Sequence, residues 1–110
     1  MQLERVGAAV PASDGTVSDT NIMETYDDAS AAQWDDVAQV PYLSFASATG
    51  PAGCSYISYD DAQSIATKAS YVKASGLGGV IVWEIAEGYL PNAAAGSRDP
   101  LMEATRTGFR

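Results

Sequence analysis

The spacing of apolar residues changes period several times along this chain, and each change marks an element. Tyr56, Ile57 and Tyr59 are aromatic or β-branched and predict a short strand. Asp60 stands three residues before Gln63, the spacing of a capping box at a helix start. Ile65, Ala69 and Val72 then recur at helical spacing, with Ala62 and Ala66 widening the stripe. Gly76 follows the last turn, where a left-handed cap favours a residue without a Cβ. Gly79 to Trp83 is apolar on both faces and predicts a strand buried between two layers, usually parallel. Helix before parallel strand is the order of an α/β sheet or barrel. Ligand sites in such folds lie where strands end, here at Trp83 and Glu84.

Elsewhere the pattern is less regular. Leu3 and Val6 suit a short strand, and Gly7 to Gly15, with Pro11 and Asp14-Gly15, reads as loop and turn. Ser18 to Tyr26 predicts a short helix capped by Ser18 or Asp19, with Ile22, Met23 and Tyr26 as its apolar face. Gln33 to Ala38 and Val40 to Phe45 predict two antiparallel strands, Leu43 and Phe45 facing one way, Tyr42 and Ser44 the other. Pro41 suits an edge or a first position. Ser44 to Cys54 reads as a loop of small residues, and Cys54 to Tyr59 as a returning strand. After Trp83 a loop runs to Arg98, and Asp99-Pro100 opens a last helix as cap and first residue, with Gly108 to stop it.

Composition narrows the chemistry. The 110 residues allow one domain with a modest core, well short of the roughly 250 that a complete (β/α)₈ barrel needs. A net charge of −8, from 14 acidic and 6 basic residues, argues against nucleic acid or an anionic membrane as partner. No apolar run approaches the ~20 residues of a spanning helix. One cysteine and no histidine remove a Ser-His-Asp triad, an imidazole base and a His/Cys zinc site, and nothing implies a cofactor. Cys54, in a loop flanked by glycine and proline, is expected to be a small half-buried side chain, an intermolecular disulfide or reactive thiol being the alternatives. The pairs Asp27-Asp28, Asp35-Asp36 and Asp60-Asp61 suit caps and turns, and none has the spacing of a calcium loop. Lys68 and Tyr71 are expected to make a salt bridge and packing contacts on the helix flank.

Tyr59-Asp60-Asp61, Ser64-Ile65, Lys68, Tyr71, Gly76-Leu77-Gly78-Gly79 and Trp83-Glu84 together resemble the end of a family 18 glycoside hydrolase, a chitinase. Trp34-Asp35-Asp36 and Pro41-Tyr42-Leu43 resemble the small α+β insertion of the same family, and the likeness extends from about Asp19 to Thr105. It implies an α+β chain: residues 1–58 as the insertion-like region and 59–110 as the last β/α units of a TIM barrel, not a complete barrel. It implies chitin or a chito-oligosaccharide as ligand, and a neutral sugar polymer is compatible with the acidic charge. Trp83 would be the floor of the subsite for the cleaved sugar, since an indole face suits the apolar face of a pyranose; otherwise it is a core tryptophan. Glu84, on the opposite side of the strand by alternation, would reach a sugar hydroxyl or be solvated.

Family 18 enzymes work through the substrate's own N-acetyl group and one glutamic acid, the last residue of an Asp-x-x-Asp-x-Asp-x-Glu motif. That motif does not occur in these residues, so no catalytic residue is assigned and no hydrolysis is expected from this chain alone. Loss of the acid removes about 10²–10⁴-fold of rate. The resemblance implies an extracellular location, although Glu4 and Arg5 interrupt any signal-like apolar run. A partial barrel has open strand edges, which predicts self-association or a partner chain that completes the fold. A structural, self-assembling protein built on the same fragment is the alternative.

Overall fold

The computed structural model describes the backbone of residues 2–4 and all of residues 17–110. Val6 and the expected loop from Gly7 to Gly15 lie outside the described residues. Among the described residues the fold is α+β, with one open antiparallel sheet and no closed barrel. Its strands are β1 (Gln2–Glu4), β2 (Ala32–Asp35), β3 (Val40–Thr49) and β4 (Cys54–Ser58), in the order β1-β4-β3-β2. Leu43 pairs with Ile57 on one side and Ala32 on the other, so these apolar side chains share a face. Tyr42 and Tyr56 lie on the opposite face, with ring centroids 5.4 Å apart.

A short helix covers the apolar face. Ser18 caps α1 (Asp19–Asn21), its hydroxyl accepting the Asn21 N–H at 3.3 Å. A π-helical turn, Ile22–Tyr26, continues it. Ile22, Tyr26, Ala31, Leu43, Cys54 and Ile57 form the buried core. Cys54 is fully buried rather than half-buried, because it opens β4 facing Tyr26.

Strand β3 is longer than expected. It continues through the small residues to Thr49, and the connection to β4 shrinks to a tight turn in which Gly53 N–H donates to Gly50 O. Pairing with β4 imposes extended backbone on residues whose own preference for it is weak. The register shifts between Ser44 and Thr49, leaving an irregularity there.

Helix α2 (Ala62–Ala74) begins one residue later than the capping-box expectation. Asp61, not Asp60, is the cap: its carboxylate accepts the Ser64 N–H at 2.8 Å, and Ser64 Oγ accepts the Asp61 N–H at 2.9 Å. A serine at the third position closes the box as Gln63 was expected to do. The far end follows the pattern. Gly76 has φ +65°, its N–H donates to Lys73 O, and Leu77 N–H reaches back to Val72 O, a Schellman cap.

Helix α3 (Pro100–Gly108) packs on α2. A Cβ at Gly108 would lie 2.9 Å from the Ala69 Cβ, so glycine sets the approach of the two helices. Asp99 occupies the cap position, but its carboxylate makes no capping bond.

The largest departure from expectation is Gly79 to Trp83. These residues form no strand. Ile81 is 93% and Trp83 90% exposed. A parallel strand needs neighbours on its flanks to bond its backbone, and every described pairing is antiparallel and confined to the β1-β4-β3-β2 sheet. Apolar sequence supplies the demand for burial but not the surface that would meet it.

Candidate functional site

A cavity of about 250 Å³ lies between α2, α3 and the segment from Val80 to Gly88. Its wall joins apolar side chains, among them Ile65, Leu101 and Phe109, to five carboxylic acids and one lysine. Trp83 and Glu84 both line it. Strand alternation, which would have separated them, does not apply because the strand is absent; the peptide joining them is cis. Directly after them a 3₁₀ turn, Ile85–Gly88, buries Gly88 against Leu101.

The acidic end of the cavity is organised by the residues before α2. Because Asp61 serves as the cap, Asp60 is free to hold Lys68, whose ammonium lies 2.6 and 2.8 Å from its two oxygens. Ser64 Oγ donates to Asp60 Oδ1 at 2.8 Å. The expected salt bridge of Lys68 is present, on an exposed flank, while Tyr71 is exposed. Other aspartate pairs form turns. Asp28 accepts the Ser30 N–H, and Asp35 accepts the N–H groups of Val37 and Ala38. Among the described residues no group of three or more acidic, histidine or cysteine side chains is arranged to hold a metal ion.

Two lining residues, Asp19 and Asp99, were marked by sequence as helix caps and not as members of a site. Asp19 is buried, with 2% of its surface exposed, and its Oδ1 has no hydrogen-bond partner among the described residues. Burial, and secondarily the Asp60 carboxylate, push its pKa from 3.8 up to about 6. Sequence marks Asp19 only as a possible cap, a role Ser18 takes. Tyr59 nearby is also raised, by burial first and then by the charges of Asp27, Asp61 and Asp19. Asp99, another lining residue, likewise has a buried Oδ1 without a partner among the described residues.

The segment after Trp83 is fastened to the sheet region at a distance. Thr20 Oγ1 lies 2.9 Å from Glu87 O and 2.7 Å from Tyr89 O. Asn92 Nδ2 donates to Glu24 Oε1 at 2.9 Å. These contacts span more than sixty positions and carry no local signal.

A family model for glycosyl hydrolases family 18 matches residues 3–88. Chitinase A1 of Niallia circulans is 48% identical over 52 residues, which are 47% of this chain and 7% of that protein. A family 18 N-acetylglucosaminidase from Paenibacillus barengoltzii superposes with a TM-score of 0.56 at 34% identity, over 81% of this chain and 22% of that one. A chitinase from Bacillus thuringiensis gives a TM-score of 0.66 at 26% identity, over 89% of this chain and 15% of that one. The chain thus spans less than a quarter of the length of each of these proteins. With most of its length under the family model, and with an α+β fold shared with solved members, this chain belongs to glycosyl hydrolases family 18.

Proposed function

We propose that the chain recognises β-1,4-linked N-acetylglucosamine polymers without hydrolysing them, Trp83 serving as a stacking platform and Glu84 as an acceptor for a sugar hydroxyl. One observation carries this reading: the Trp83 indole is 90% exposed at a cavity that Glu84 also lines. A solvated indole face is the surface on which the C–H face of a pyranose stacks with little entropic cost. The Asp-x-x-Asp-x-Asp-x-Glu motif is absent from these residues, and with it the glutamic acid that protonates the leaving oxygen in the family. In this reading residues 1–58 act as the insertion and 59–110 as the end of a barrel, and the site of action is extracellular.

Tryptophan fluorescence during titration with chitotetraose tests the proposal, with Trp34→Phe to leave Trp83 as the sole emitter. A saturable shift that Trp83→Ala abolishes is expected, with no release of N-acetylglucosamine. Absence of a shift overturns the binding role, and release of sugar overturns the inactivity.

A second reading, a self-associating structural protein, has its own support. Among the described residues, the N–H groups of residues 78–83 make no backbone hydrogen bond, and their apolar side chains are exposed. Such a segment is a template for pairing with another chain. Sedimentation decides it: a large species that ignores sugar supports assembly, and a monomer that binds sugar excludes it.

A further inference from the structure

We propose that Thr20 is a positioning residue, its hydroxyl holding the turn after Trp83 so that the indole and Glu84 stay at the cavity. This rests on the reading of Trp83 as a sugar platform and adds the residue that sets its orientation.

Trp83 is weakly held by its own segment. Upstream, the last backbone bond is Leu77 N–H to Val72 O, at the end of α2. Downstream, Glu87 N–H donates to Glu84 O within the 3₁₀ turn. The six residues between are exposed. Among the described residues, the ties that reach this segment act on the turn itself.

Thr20 does so from a rigid base. It sits in α1, between the Ser18 cap and Ile22, which is completely buried in the core. Its single hydroxyl proton faces two carbonyls, Glu87 O at 2.9 Å and Tyr89 O at 2.7 Å, in a three-centre arrangement. Those carbonyls flank the buried Gly88, so the clamp grips the turn at the point where it enters the protein. The Asn92–Glu24 bond adds a second tie between the same two regions. The hydroxyl is thus a bolt between the core under the sheet and the loop that carries the indole.

Thr20→Val keeps the shape and removes the proton, while Thr20→Ser keeps the proton. Both are made in the Trp34→Phe background. Thr20→Val is expected to weaken chitotetraose binding by up to about tenfold, the worth of one net hydrogen bond. It is also expected to lower Trp83 fluorescence anisotropy, with a fall in melting temperature of only a few degrees. Thr20→Ser restores both affinity and anisotropy. Unchanged Trp83 anisotropy in Thr20→Val overturns the clamp, and so does a serine variant as impaired as the valine one. Anisotropy needs no sugar. A parent that fails to bind chitotetraose but loses Trp83 anisotropy in Thr20→Val keeps the clamp and sinks only the sugar reading.

Discussion

Tyr26 and Gly50 approach so closely that a Cβ on Gly50 would lie 2.3 Å from Tyr26 Cε1. Gly50 also has φ +68°, and the Tyr26 hydroxyl accepts the Ala52 N–H at 2.9 Å. The buried ring and the glycine turn between β3 and β4 are one packing unit. Gly50→Ala is therefore expected to cost about 2–4 kcal/mol, combining overpacking with a left-handed conformation that disfavours a Cβ. Tyr26→Phe keeps the ring and strands the Ala52 donor, at about 1 kcal/mol. Urea denaturation of the two variants checks the ranking.

Asp19 makes stability depend on pH in an unusual direction. Its folded pKa, about 6, lies above its ordinary 3.8, so the folded state holds the proton more tightly. The stability this contributes is fully present below about 3.8 and is lost as pH rises through about 6. Asp19→Asn removes that loss and is expected to raise stability at neutral pH by on the order of 2 kcal/mol. Melting temperatures from pH 4 to 7 check it: the parent should fall across this window relative to the variant.

The two aspartates before α2 should respond differently to loss. Asp61 closes a capping box, and Asp61→Ala is expected to cost about 1 kcal/mol. The Asp60–Lys68 pair is solvated, and Lys68→Met is expected to cost well under ~1 kcal/mol, less still in high salt. Thermal melts of the two variants at low and high salt separate cap from ion pair.

At the end of α2, Gly76 has open space around its missing Cβ, so only its backbone conformation resists substitution. Gly76→Ala is expected to cost about 1 kcal/mol, and Gly76→Asn less, because asparagine tolerates the left-handed region. Chemical denaturation measures both.

Trp83→Ala should leave stability within about 0.5 kcal/mol, as for other exposed positions. A large loss of melting temperature would mean that the indole is buried in solution, and would return it to a core role.

Local chemistry was sufficient wherever an element is decided by its own residues. The serine cap at Ser18, the Gly76 stop, the strand face shared by Leu43 and Phe45, and proline at the start of α3 all follow from side-chain shape and backbone preference over a few positions. The family, too, was legible, because its marks are contiguous runs around Tyr59-Asp60-Asp61 and Trp83-Glu84. The expectation for Gly79 to Trp83 failed because its evidence was non-local. Apolar residues specify that a segment seeks burial, whereas a strand also requires neighbouring backbones to bond, and no described strand stands beside it. The same distinction separates Asp19 and Thr20 from the residues that sequence singled out. Burial of one and the long-range hydrogen bonds of the other exist only when positions more than forty residues apart meet in space. Sequence determined most of the pieces, while tertiary contact alone decided which carboxyl binds its proton more tightly and which hydroxyl holds the turn beside the indole.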